Sequence, residues 1–184
     1  MAKKVGSLSI EAGLKYPWGK AKRLWNILWV LIPVFGWFAL IGYVRNIVLS
    51  IVKGNTKELP EFGKFWDNFF MGLKLFIFLI PLMVVIMLLN IVPFVGAFLA
   101  FFAQVLVLPY IIIHLFVTDK FESTFDYNRW WRVVGGNFTE YLVAFLKTLV
   151  YAIVYGLLSF VLIGIPCYAF GMNIYIAEFY AKYK

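Results

Sequence analysis

Three long stretches of the chain carry no Asp, Glu, Lys or Arg: residues 24–44, residues 75–118, and the run between Lys147 and Glu178. Between them, charges and aromatic residues are interleaved. A charge at the bilayer centre costs about 2.5–3.5 kcal/mol on insertion scales, so uncharged runs of this length read as membrane helices. The run 75–118 is about twice the roughly 20 residues that one spanning helix needs. Asn90, Pro93 and Gly96 near its middle predict a turn. Helices over 75–89 and 97–117 follow, each kinked by its internal proline, Pro81 and Pro109. The last third repeats the plan, with 141–163, a break at Gly164 and Pro166, and 167–183. The first third does so with a short first arm, 24–32, then Pro33 and Gly36, then 37–52. That first arm fits a shallow re-entrant helix better than a full crossing.

The segment Ile32-Pro33-Val34-Phe35-Gly36-Trp37-Phe38 resembles Val92-Pro93-Phe94-Val95-Gly96-Ala97-Phe98, and Ile165-Pro166-Cys167-Tyr168-Ala169-Phe170-Gly171 is a looser third copy. The pattern predicts an all-α membrane protein of about six hydrophobic helices, arranged as three helical hairpins from a repeated unit. The units are about 7–52, 60–118 and 125–184, within one membrane domain, 1–184.

An aromatic segment precedes each hairpin. Phe62, Phe65, Trp66 and Phe69 fall on one helical face beside Lys64. Residues 126–137 set Trp130, Trp131, Val133 and Val134 around Arg129 and Arg132. Leu8, Leu14 and Trp18, with Glu11 and Lys15, make a weaker version. These are expected to be amphipathic helices lying in the headgroup region.

Composition removes the soluble alternative. Hydrophobic residues make up 64% and charged residues 14%, against roughly half and a quarter in ordinary globular chains. The charges occupy the N-terminal segment, 45–74, 119–147 and the C-terminus, while the turns carry none. Both termini and both long loops are therefore expected on one face. Its Lys and Arg excess makes that face cytoplasmic, in a multi-pass plasma-membrane protein. The net charge of +8 then reads as contact with anionic lipid headgroups rather than with nucleic acid. The basic start, Met1 to Lys4, is not followed by a short apolar segment with a cleavage site, so no removable signal peptide is expected.

Candidate chemistry is sparse. The chain has one His and one Cys, where metal or nucleophilic sites need clusters. Cys167 reads as a small buried hydrophobe. Glu58 with Glu61, and Glu122 with Asp126, sit among lysines as solvated ion pairs. No catalytic, cofactor-binding or metal residue is predicted, and no enzymatic activity. Arg45 is expected to snorkel, or to pair with a carboxylate such as Glu178. His114 reads as a helix-end or interhelical hydrogen-bonding residue, and Asn90, Gln104, Ser159 and Asn173 are mild polar groups able to bond across helices. The candidate contacts for a lipid headgroup or a partner are Arg45, Lys64, Trp66, Arg129, Trp130, Trp131 and Arg132. These features point to a non-catalytic membrane module that binds lipid, a membrane-protein partner or a second copy. A small transporter or channel is the alternative, since transporters are built from repeats with interrupted helices. A membrane-embedded lipid enzyme comes third.

Gly42-Tyr43 with Arg45, Leu59-Pro60-Glu61-Phe62 with Trp66, Gly72-Leu73-Lys74, and Phe125-Asp126 with Trp130, Asn137 and Tyr141-Leu142 form an ordered series. In these residues the chain resembles the integral membrane family known as domain of unknown function 4013, from about Tyr16 to Tyr180. The resemblance implies a multi-helix fold in a prokaryotic plasma membrane. It implies no reaction, ligand or catalytic residue.

Overall fold

The structure is a computed structural model that describes residues 7–184. Among them no strand occurs. The chain begins with α1 (Ile10–Lys15) and continues through tight three-residue turns over Tyr16–Leu31, interrupted at Lys20. Then come α2 (Phe35–Val52), α3 (Phe65–Leu89) and α4 (Val95–Phe102), which passes through a π-helical turn (Ala103–Val107) into α5 (Leu108–Thr118). A short α6 (Tyr127–Trp130) runs into a second π-helical turn (Trp131–Gly135). The chain ends with α7 (Phe138–Leu158), α8 (Gly164–Gly171) and α9 (Ile174–Tyr183).

Among the described residues four helices are long and apolar enough to cross a membrane: Phe35–Val52, Phe65–Leu89, Val95–Thr118 and Phe138–Val161. In the second and fourth only 17% of the apolar window is buried. Most of that apolar surface therefore faces outward. On α7 the outward face carries Leu142, Leu146, Leu149, Ile153 and Leu157, three and four residues apart, one continuous stripe of a helix. A soluble monomer rarely exposes apolar patches beyond a few hundred Å², and acyl chains solvate such a surface. These helices have the character of a membrane protein.

Glycine sets the tightest packing. A Cβ on Gly42 of α2 would overlap the backbone oxygen of Asn68, and one on Gly72 of α3 would overlap that of Phe38. Only glycine lets the two helix backbones approach this closely. Phe35 stacks on Phe69 at 5.4 Å, and Phe38 meets Phe76 at 5.3 Å. The N-terminal half of α2 thus lies along the first half of α3.

The core is built from tyrosines. Tyr43, Tyr141, Tyr151 and Tyr175 are buried, and each hydroxyl donates to a backbone carbonyl outside its own helix. The acceptors are Pro60 at 2.8 Å, Leu106 at 2.6 Å, Cys167 at 2.6 Å and Ile10 at 3.0 Å. Burying a hydroxyl is tolerable because the bond is made, and the carbonyl gains a donor that its local backbone does not supply.

Three turns share one backbone device. Val34, Phe94 and Leu162 hold φ of 65°, 57° and 62°. Across each, an N–H reaches back two residues: Phe35 to Pro33, Val95 to Pro93 and Ile163 to Val161, all at 2.7 Å. These are γ-turns of the rarer, positive-φ hand. For a residue other than glycine each stores about 1–3 kcal/mol of strain.

Several expectations change. The third break falls earlier than Gly164 and Pro166: the turn spans 159–163, and α8 starts at Gly164 with Pro166 in its first turn, where its missing N–H costs nothing. The C-terminal arm, expected as one helix over 167–183, is two helices parted at Met172 and Asn173. Its residues Ile174 to Tyr180 are all buried, and α9 packs against α2, α5 and α7, so it is a core element and not a lipid-facing span. The aromatic segment around Trp66 is not a separate interfacial helix. Phe62 precedes α3, while Phe65, Trp66 and Phe69 belong to its first turns and run unbroken into its apolar part. Nor does α1 lie alone at an interface: Gly13 is buried against the ring of Tyr175.

Candidate functional site

The segment after Asp126 is held from both ends. The Asp126 carboxylate accepts the Arg129 N–H at 3.1 Å and starts α6. Val133 and Val134 are buried and pin the following π-helical turn. Trp131 is left 71% exposed, Arg132 is exposed, and Trp130 is partly buried. Beneath them, between α3 and the α4–α5 helix, lies a crevice of about 480 Å³ lined by Leu82, Ile86, Ala103, Val107, Tyr127 and Trp130 among others. A second cavity of about 510 Å³ shares Trp130 and Trp131 and adds Arg132 and Phe138. Both volumes fall in the roughly 300–1,000 Å³ range of small-molecule sites.

Pro109 explains the shape of one wall. It has no N–H to give to Val105, and its ring crowds that carbonyl, so the helix widens over Ala103–Val107. The Leu108 N–H reaches Ala103, five residues back. Tyr141 supplies the hydroxyl that Leu106 accepts at 2.6 Å. The widened turn is thus stabilised from α7.

A polar cluster that does not itself line the crevice adjoins the segment carrying Trp130. His114 Nδ1 and the Tyr180 hydroxyl share a hydrogen bond of 2.8 Å, and His114 Nε2 lies 3.4 Å from Asp126 Oδ2. This ties α5 to α9 and to the start of α6, as the interhelical reading of His114 anticipated. Beside it Arg129 Nε and Trp130 Nε1 are buried with no hydrogen-bond partner among the described residues, and the Tyr110 hydroxyl lies against the Arg129 guanidinium. A buried donor left unpaired costs about 1–3 kcal/mol.

The structure groups Arg129, Trp130, Trp131 and Arg132 in one place and separates the other predicted residues from them. Lys64 is exposed just before α3. Trp66 is 57% exposed at the edge of an aromatic cluster with Phe35, Phe65, Phe69 and Phe70. Arg45 does not pair with Glu178. Its Nε donates to the Phe116 carbonyl at 3.0 Å, and its Nη2 lies 3.8 Å from Asp119 Oδ2. Lys74 Nζ approaches the other Asp119 oxygen at 3.0 Å, an ion pair without hydrogen-bond alignment. Glu178 instead accepts the Leu8 N–H at 2.7 Å. Asn90, Gln104 and Ser159 do not bond across helices either. Each donates to the carbonyl four residues earlier on its own chain, of Ile86, Ala100 and Tyr155. Tyr110, Lys74 and Asp119 were not singled out from sequence, because nothing in their spacing shows which distant groups they meet. Among the described residues no group of three His, Cys, Asp or Glu side chains could hold a metal ion.

The family described as protein of unknown function DUF4013 matches residues 26–165, which is more than half of the chain. The chain belongs to the DUF4013 family. No curated protein and no solved structure matches it. The residues that carry the DUF4013 resemblance have structural work in this fold. Gly42 and Gly72 set the α2–α3 approach, and Tyr43 ties α2 to Pro60. Asp126 caps α6 and faces His114, while Tyr141 closes the widened turn. In this DUF4013 chain Trp130 is a signature residue that lines a cavity.

Proposed function

We propose that this protein is a multi-pass protein of a prokaryotic plasma membrane and acts as a non-catalytic lipid-binding module. In this reading its helices form three hairpins descended from one repeated unit, with both termini and the charged loops on the cytoplasmic side. An acyl chain of an anionic phospholipid fills the crevice between α3 and α4–α5, and the lipid's ester and phosphate oxygens accept from Trp130 and Arg129. Arg132 adds charge at the rim. The observation that carries this is an apolar crevice whose lining includes Trp130, with a buried and unpaired indole N–H, next in the chain to Arg129. A phospholipid has that polarity, with oxygens at one end and hydrocarbon at the other. The matching γ-turns, with Pro33 and Pro93 sixty positions apart, support the repeat.

The test is native mass spectrometry of protein released gently from its own membrane. The expected result is an anionic phospholipid retained at fixed stoichiometry, lost when Arg129→Gln, Trp130→Phe, Trp131→Ala and Arg132→Gln are combined. Equal retention by that variant would sink the assignment of the site.

A further inference from the structure

The three γ-turns are largely apolar. Phe94 is 90% exposed and Phe160 is 89% exposed. Val34, Leu162, Ile91 and Val161 are also exposed. Of the polar side chains close by, Asn90 and Ser159 donate to their own helices and the Trp37 indole N–H donates to the Val30 carbonyl at 3.1 Å, which leaves the exposed Asn90 carboxamide as the one polar group at the second turn. Trp and Tyr, which gather where a helix meets the membrane–water boundary, are absent from 75–109 and from 156–167.

The backbone is largely closed as well, with the Val34 and Phe94 N–H groups the exceptions. Around the second turn the N–H groups of Asn90, Ile91, Val92, Val95 and Gly96 all donate within the turn, and Pro93 has none to donate. The first turn follows suit through Ile32, Phe35 and Gly36, and the third through Leu162, Ile163 and Ile165. A turn in water has no need of this, because water would satisfy an N–H without positive φ at Val, Phe or Leu. In hydrocarbon an unpaired N–H costs more than the strain of a γ-turn, so a strained turn that closes most of its N–H groups is favoured.

Depth agrees. About 15, 22 and 17 Å of helix separate Arg45, Lys74 and Lys147 from the turn-proximal ends of α2, α3 and α7, at about 1.5 Å per residue. Snorkelling lengthens each by a few ångströms, against a hydrocarbon core of about 30 Å.

We propose that the three hairpin turns end inside the acyl-chain region of the bilayer and do not emerge into water on the far side. The surface they present fits lipid hydrocarbon. The chain then enters and leaves the membrane by one face, which rests on the membrane reading above and replaces its full crossings with re-entrant hairpins.

Single cysteines at Val34, Phe94 and Leu162, placed one at a time in the full chain carrying Cys167→Ala, test this, with Asn55→Cys as a loop control. Sealed vesicles of both orientations are treated with a membrane-impermeant maleimide or with a lipid-soluble one. The expected result is that the turn cysteines resist both reagents in sealed vesicles and react only after detergent admits water, because the thiolate that adds to a maleimide does not form in hydrocarbon, while the control is labelled by the impermeant reagent from one face. Impermeant labelling of a turn cysteine from either face, in protein that resists alkaline extraction, overturns the proposal for that turn. Alkaline release of the unsubstituted chain would instead overturn the membrane reading itself. Should one of these variants fail to stay in the membrane, Ile91→Cys and Phe160→Cys ask the same question of neighbouring exposed positions.

Discussion

At the scale of single residues, the glycines divide cleanly into two kinds. Gly42 and Gly72 have a neighbouring backbone where a Cβ would go, whereas Gly156 has nothing within 4 Å. Gly72→Ala is expected to push α2 from α3 and to cost about 1–3 kcal/mol, the range for overpacking. Gly156→Ala should be neutral or slightly stabilising, since alanine is the better helix former. Thermal unfolding of both variants in the same detergent checks the contrast, and equal melting would refute the close approach. Asp119 is the second such residue. It is shared by Arg45 and Lys74, with side-chain exposures of 28%, 15% and 43%. Asp119→Asn leaves two cations facing each other. Breaking a fully buried pair costs about 3–5 kcal/mol, and the residual exposure here lowers the expectation to roughly 2 kcal/mol. A drop in unfolding temperature that Lys74→Met partly restores would show that charge is the cause.

At the scale of elements, the proline in the α4–α5 helix is expected to govern the crevice. Pro109→Ala restores an N–H that can reach Val105, so the π-helical turn should tighten towards regular helix. The wall formed by Ala103 and Val107 then rotates. The prediction is weaker phospholipid retention without loss of helix content, measured by native mass spectrometry and circular dichroism on the same sample. The C-terminal arm poses a different question. α9 is anchored through Tyr180 to His114, through Glu178 to the Leu8 N–H, and through Tyr175 to Ile10. Tyr180→Phe removes one hydrogen bond worth about 1 kcal/mol. Faster amide exchange confined to α9 and the segment before α1 is the expected outcome, while unchanged exchange there would mean that the bond carries no load.

At the scale of the whole molecule, the exposed apolar stripes on α3, α4 and α7 and the buried α9 describe a polar-poor shell around a tyrosine-rich centre. Such a molecule has no water-soluble state that hides its surface. It is expected to remain in the membrane pellet after alkaline carbonate washing and to require detergent for extraction. Recovery in the aqueous wash would contradict that.

Charge spacing along the chain was enough to determine the class of the protein and the place of most helices. The two middle arms were expected at 75–89 and 97–117, and lie within Phe65–Leu89 and Val95–Thr118. Burial of Cys167 was equally legible. These are local properties: an uncharged run of given length has few physical fates, and proline with glycine ends a helix wherever it stands. Partner choice was not legible. Arg45 meets Asp119 and Phe116, not Glu178, because a charge takes whichever opposite group the helix packing brings within reach. The third turn shifted several residues because its γ-turn forms at Leu162 without the Pro-to-Gly spacing that marked the other two. The C-terminal arm has the apolar composition of a span, yet tertiary structure places part of it at the centre. Hydrophobicity reports only that a helix leaves water. Whether its neighbours are lipid or other helices is decided by three-dimensional packing, as is the crevice that Trp130 roofs.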